Sequence, residues 1–337
     1  MTGRLKSYLV TMAGSMGGYR FARFLTRYQP RILMFHRFDL QGSAGRLGSE
    51  QFEKQLLELK KGFNVVPLSL AVKAIKGEIP RQKNMIVLTI DDGYADFFTY
   101  AYPLLKKHNL PATIYVTTGF VDRKIWLWPD RLTYILSRTT CKEYLFSSIS
   151  GDPVAYPLVN ERPYGRLWQD MVNYCLALPD KEKLDFLDAF AVDLDVHVPP
   201  VPVDDYAAVT WDELKEMSAN GIEVGGHTCT HPALSKVSPE DLLYEIAGCK
   251  QRFKEQLGID VVTFCYPNGQ PDDYSPEVMS CVEAAGFESA TVAFSDADPY
   301  RGVYELRRYS VNSCMFQFHK MIYGTELLKH KLKRMFR

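Results

Sequence analysis

The chain has 337 residues, 46% of them hydrophobic and 24% charged, a composition that buries a sizeable core without disulfide staples. Lysine plus arginine and aspartate plus glutamate both number 40, for a net charge of zero, so no field of one sign marks a nucleic-acid partner. The seven cysteines, an odd count scattered through apolar and helix-patterned segments, read as buried thiols in a reducing compartment rather than as a disulfide framework.

No basic and apolar leader with a small-residue cleavage site is seen, and no run approaches 18 apolar residues, which predicts a cytoplasmic protein. Residues 1–30 and 313–337 qualify that reading. Segments 4–28 and 326–337 mix basic with large apolar side chains, as interfacial helices do, and suit peripheral contact at an inner membrane face or docking on the core. Arg31–Phe35 reads as a first core strand, followed by His36 and a polar, Gly-rich loop to Gly48. Phe52, Leu56 and Leu59 predict a helix over 49–61 that Gly62 stops. A strand over 64–68 and a helix over 69–76 follow.

Met85–Ile90 is uncharged and β-branched, a buried strand that ends on Asp91-Asp92-Gly93. A helix over 96–108 and a strand over 111–117 continue the alternation. Between 122 and 208 the rhythm breaks: 126–138 and 161–192 are helix-patterned with no buried strand between them, and the Pro-rich stretch 198–203 reads as the linker that returns the chain. Thr210 to Glu213 has capping-box spacing and opens a helix to Asn220, before a strand over 222–224 that runs into Gly225-Gly226-His227. Ser238-Pro239 begins a helix to Leu257. A strand over 262–265, a helix over 275–285 and a strand over 289–293 complete the pattern. Repeated strand-helix units imply an α/β fold with a parallel sheet or barrel over 31–312, interrupted by the 122–208 helical insertion, with its functional loops at the strand C-termini.

Adjacent carboxylates on an extended backbone point opposite ways, so Asp91 and Asp92 can take two roles, one binding a metal and one accepting a proton from water. A capped Asp-Gly turn is the plainer reading of the same residues. His227 and His231 are four apart, so one turn of helix-like backbone would bring both imidazoles to one side. Two histidines and one carboxylate leave positions open on zinc for water and substrate.

These strings resemble a known family. LTIDDGYADF at 88–97 and EVGGHTCTHPAL at 223–234 are similar to the first two motifs of the polysaccharide deacetylases, carbohydrate esterase family four. The resemblance implies an irregular (β/α) barrel of the polysaccharide deacetylase type, with Asp91 as catalytic base and Asp92, His227 and His231 as ligands of a divalent metal, zinc above others. FCYPNG at 264–269 resembles the third motif of bacterial exopolysaccharide deacetylases, which puts the oxyanion-holding N–H at Asn268. The family's C-terminal Leu-x-His is missing. LMFHRF at 33–38 is instead similar to a string of the poly-N-acetylglucosamine deacetylases, whose barrel is circularly permuted, so the acid falls to His36, with His319 as fallback. Arg162 to Gly165 matches another form of the third motif by letters but precedes the histidines, and Arg307 or Arg308 is placed to orient Asp91 by charge pairing.

The resemblance implies hydrolysis of N-acetyl or related acyl groups on an amino sugar of a polysaccharide or lipid-linked glycan. Four tryptophans, Trp126, Trp128, Trp168 and Trp211, offer faces for stacking on sugars or for anchoring the insertion. Two other functions fit the same residues: a deformylase or small-molecule amidohydrolase on this metal site, and a carbohydrate-binding protein that keeps the fold without catalysis.

Overall fold

The structure, a computed structural model, describes residues 17–147, 151–158 and 165–335. The first 16 residues, Arg162 to Tyr164 of the decoy motif and the last two residues lie outside it.

Eight parallel strands build the central sheet: β1 (Arg31–Phe35), β2 (Asn64–Val65), β3 (Met85–Ile90), β4 (Ala112–Val116), β5 (Ile222–Gly226), β6 (Thr263–Cys265), β7 (Ser289–Thr291) and β8 (Arg308–Ser310). They are ordered β7-β6-β5-β4-β3-β1-β8, and β2 pairs with the first residues of β3. Just before β8, the Leu306 N–H donates to the Ala290 carbonyl and the Leu306 carbonyl accepts from Val292 N–H. That joint brings the two ends of the sheet together, so the barrel is nearly closed.

Closure explains why β1, β3 and β4 are buried along their whole length. Leu33 and Phe35 point outward into a core shared with Phe52, Leu56 and Leu59 of the helix Ser49–Lys60. Ile32, Val87, Tyr115 and Cys265 form a second cluster with the helix Leu68–Lys76. That helix lies under the barrel, where Leu68 N–H donates to Thr113 Oγ1 and Ser69 N–H to Glu223. The strand expected over 64–68 is therefore only two residues long, because the chain turns at Pro67 into that helix.

Within 122–208 the helices Trp128–Arg138, Arg166–Ala177 and Asp180–Asp193 enclose a separate apolar cluster that includes Trp128, Leu132, Met171 and Phe190. An antiparallel pair, Glu143–Phe146 with Val154–Pro157, also lies here. Its residues are mostly exposed, so it lacks the apolar run that marks a buried strand in the sequence. Asp122, at the entry to this region, is clamped to the barrel by Arg252 Nη2 at 2.8 Å and Trp211 Nε1 at 2.9 Å.

The helix Tyr19–Leu25 and the turn after it lie at the strands' N-terminal ends, and the helix Thr325–Met335 packs against that helix. Asn84 N–H, just before β3, donates to the Arg27 carbonyl, and Arg31, which opens β1, donates to the Thr26 carbonyl. Among the described residues no helix is long and apolar enough to cross a membrane.

Candidate metal centre and active site

β3 places the acid pair. Asp91 N–H still pairs with the Phe35 carbonyl at 3.0 Å, but Asp92 turns to a φ of 77°. The two carboxylates therefore part company, Asp91 toward the barrel axis and Asp92 toward the loop after β5. In that strand a Cβ at Gly225 would sit 2.7 Å from the Tyr115 ring and 2.6 Å from Thr263 Oγ1, so only glycine lets β5 pack there.

The histidine loop is not helical, contrary to the spacing argument. Thr228 and His231 have φ of 67° and 65°, and His231 N–H donates to Thr228 Oγ1 at 2.9 Å. Buried Glu245 accepts from Cys229 N–H and Thr230 N–H, both at 2.8 Å, and so holds the loop from the neighbouring helical segment.

This backbone brings His227 Nε2 to 3.3 Å and His231 Nε2 to 3.4 Å from the same oxygen, Asp92 Oδ1. One donor atom from each residue lies within 4.8 Å of the others, and all three residues are buried. The His227 Nδ1 faces the Cys265 carbonyl at 2.7 Å. A carbonyl only accepts, so Nδ1 carries a proton, and Nε2, which faces Asp92, is the nitrogen left to take a metal ion in exchange for its own proton. His231 Nδ1 has no partner among the described residues, so its imidazole is held through Nε2 alone.

The electrostatics suit a cation. Burial pushes the Asp92 carboxyl up, but hydrogen bonds from His227 and His231 outweigh it and hold it well below the usual carboxylate range. Burial keeps His231 below its ordinary value. At His227 the downward push of burial loses to Cys265 and Asp92, and its value rises. A pocket that stabilises positive charge between a carboxylate and an imidazole accepts a divalent ion in place of that proton.

Asp91 sits in a different environment. Arg308, fully buried, grips both of its oxygens, Nη1 to Oδ1 at 2.6 Å and Nη2 to Oδ2 at 2.7 Å. Arg308 is itself held by the Val292 carbonyl and by Thr89 Oγ1, at 2.9 and 3.1 Å. Burial would raise the Asp91 carboxyl, yet Arg308 and then His36 keep it below the ordinary range. Of the two candidate arginines it is thus Arg308 that meets Asp91, while Arg307 pairs with Asp296 and Glu305.

His36 Nε2 lies 3.6 Å from Asp91 Oδ2, and its side chain is 44% exposed. It opens into a cavity of about 480 Å³ lined by the 42–47 loop and Ser310 to Ser313. Asn268 follows β6 with a φ of 57°, and among the described residues its N–H makes no bond. His319 is elsewhere, 3.7 Å from Glu58 and packed between Tyr19 and Tyr323. The tryptophans serve the framework: Trp128 is buried in the insertion, and the indole N–H groups of Trp126, Trp168 and Trp211 donate to Pro199, Thr133 and Asp122.

Sequence reasoning missed one cluster. Arg37 pairs with Asp96 at 2.6 Å and approaches Asp130 at 3.7 Å, with its guanidinium 3.7 Å from the Tyr94 ring centroid. Tyr94 in turn donates to Asp130 at 2.7 Å. The cluster ties the residue after His36, the turn after Asp92 and the first insertion helix into one unit. Asp130 falls in the first turn of the helix Trp128–Arg138, where an acid is ordinary, so no sequence signal separates it from a cap.

Burial pushes the Asp130 carboxyl up to about 6, with Arg37 and Tyr94 pulling it down and Asp92 adding to the rise. The folded protein therefore binds this proton more tightly than the unfolded chain. Its contribution to stability is complete below about pH 4 and is lost as pH rises through 6. Asp130→Asn, measured in chelator-treated protein, is expected to be more stable than the parent at pH 7.5 by up to about 3 kcal/mol. The gap should close toward pH 4. Equal denaturation midpoints at both pH values would show that Asp130 is not held in this way.

Residues 78–142 and 180–290, over half of the chain, match the polysaccharide deacetylase family. The chain belongs to that family. YxkH of Bacillus subtilis, described as a polysaccharide deacetylase, is 21% identical to it over 287 residues, 84% of this chain and 72% of YxkH. Among solved structures, the deacetylase PplD of Streptococcus pyogenes superposes with a TM-score of 0.57 at 18% identity, covering 89% of this chain and 96% of PplD. IcaB of Ammonifex degensii gives the same score and identity over 87% of this chain and 97% of its own. A de-N-acetylase of Aggregatibacter actinomycetemcomitans follows at 0.52 and 16%, covering 84% and 95%. At such identities the likeness establishes a shared fold, and this chain has that family's (β/α) barrel.

Proposed function

We propose that this chain is a metal-dependent hydrolase that removes N-acetyl, or a similar acyl group, from an amino sugar of a polysaccharide or lipid-linked glycan. The observation that carries the reading is the convergence of His227 and His231 on one oxygen of Asp92, with Asp91 beside it and separately held by Arg308. Asp92, His227 and His231 would hold the ion, which when bound polarises an amide carbonyl and acidifies water; zinc suits this donor set.

The chain's own groups do the rest. Asp91, kept ionised by Arg308, accepts the proton of the attacking water. The unbonded N–H of Asn268 donates to the oxygen that becomes negative as the carbonyl turns tetrahedral. His36 protonates the departing nitrogen, which leaves as an amine only with that proton. Water adds to the acyl carbon, the C–N bond breaks, and acetate and a free amino sugar result.

Acetate release from N-acetylated oligosaccharides tests this directly. Activity is expected to vanish on chelation, to return on adding a divalent metal, and to fall ~10²- to 10⁴-fold in His36→Gln. Because His36 is assigned to the leaving group alone, that variant should still hydrolyse an activated aryl ester. Ester and amide activities falling together would reject His36 as the acid. Formyl and small-molecule amide substrates in the same panel decide between this reading and the deformylase or amidohydrolase one, and no turnover of any amide would leave a carbohydrate-binding role.

A further inference from the structure

The helix Tyr19–Leu25 and the residues after it turn an apolar stripe outward. Phe21, Phe24 and Leu25 are 64, 59 and 51% exposed and share one face of the helix, and Tyr28, in the turn that follows, is 43% exposed. The opposite face carries the packing: Ala22 is buried, and the Tyr19 ring stacks on Tyr323 with centroids 5.1 Å apart. Basic groups interleave with the stripe. The Arg27 guanidinium lies 4.0 Å from the Phe24 centroid and 5.0 Å from that of Tyr28.

The helix Thr325–Met335 extends the surface with exposed Leu332 and Met335. Residues 19–28 contribute three arginines, and 325–335 three lysines and an arginine, against a single acid, Glu326. In a chain whose total charge is zero, this is a local excess of positive charge, which the pairing of Arg334 with Asp298 and of Lys329 with Glu326 reduces but does not cancel.

We propose that this basal surface docks on an anionic bilayer and leaves the catalytic rim facing away from it. Aromatic rings with arginines and lysines between them are what a headgroup layer of negative charge takes up. A second copy of the same surface would set cation against cation. The orientation follows from the barrel: the docking helices lie at the N-terminal ends of the strands, while Asp91, His227 and Asn268 follow their C-terminal ends. Strands of five or six residues separate the two by roughly 15–20 Å. With the deacetylase reading of the rim, a short sugar carried in the same bilayer is then out of reach, and the substrate class narrows to glycan extending into the aqueous phase.

Sedimentation with vesicles tests the docking, using phosphatidylglycerol–phosphatidylcholine and pure phosphatidylcholine preparations. The full chain is expected to bind the anionic vesicles at least tenfold more tightly, and Phe21→Ser/Phe24→Ser to lose at least tenfold with unchanged circular dichroism. Cys314, the exposed thiol beyond β8, reports orientation: its labelling by a membrane-impermeant maleimide should be the same on and off vesicles. Absent binding, equal binding to both vesicles, or a lipid-free dimer that the double variant dissociates would each overturn docking. Protection of Cys314 on vesicles would overturn the orientation. Acetate release is scored separately, so bound protein that releases none from any glycan refutes the deacetylase reading and leaves the docking result standing.

Discussion

Replacing His231 with alanine is expected to remove the bound metal and with it the acetate-releasing activity, while the barrel stays folded. The imidazole is buried but lies on a loop, and among the described residues it touches Asp92 through Nε2 and the His227 ring edge-on. Alanine therefore takes away a ligand without opening any of the three apolar clusters. Loss of groups that merely orient metal ligands lowers affinity about 10- to 100-fold, so loss of a ligand should exceed about 100-fold. An ion that stabilises charge in the transition state by several kcal/mol corresponds to a rate loss of about a thousandfold or more. Metal content by mass spectrometry and acetate release, with His319→Ala as a control remote from the site, read both effects. A His231→Ala protein with full metal and full turnover would place the centre elsewhere.

Arg308→Met is the second change with a large expected effect, and it acts on stability and chemistry together. It leaves the Asp91 carboxylate buried with no guanidinium on either oxygen, a situation that typically costs about 3–5 kcal/mol. In the intact protein the depressed value of Asp91 adds stability that is present above the ordinary carboxylate range and is lost as pH falls through the lowered value. Without Arg308, burial dominates and the carboxyl rises, so the acidic limb of the kcat profile should move to higher pH. The double variant Asp91→Asn/Arg308→Met should regain part of the denaturation midpoint and none of the turnover. If Arg308→Met keeps both the parent midpoint and the parent pH profile, the ion pair does not govern the base.

Most of the barrel was legible because its strands carry their signal locally. Arg31–Phe35 and Met85–Ile90 have the predicted bounds, since strands buried along their whole length are written almost entirely in apolar residues, Arg31 and Thr89 being the exceptions. Thr210 and Ser238 cap their helices as their spacing implied. The sequence placed Asp91, Asp92, His227 and His231 on loops at strand ends, and those loops meet. What it could not supply was backbone sign: the i, i+4 spacing of the histidines suggested a helical turn, whereas positive φ at Thr228 and His231 does the work. Nor could spacing distinguish Arg307 from Arg308, because alternate residues of a strand face inward and outward and only the register of β8 on β1 decides which. The Arg37, Tyr94, Asp96 and Asp130 cluster joins segments that only tertiary packing brings together.

The near closure of the sheet bears on how exactingly the rim can be held. Asp92, Thr228, His231 and Asn268 all sit in left-handed backbone, a conformation that costs a non-glycine residue roughly 1–2 kcal/mol. Four such residues on neighbouring loops would relax if the strands beneath them could splay, and the two imidazoles would then drift from Asp92. The Leu306 joint denies the sheet that freedom, so a hydrogen-bonded seam on the far side of the barrel acts as a hoop whose tension keeps the ligand atoms in register.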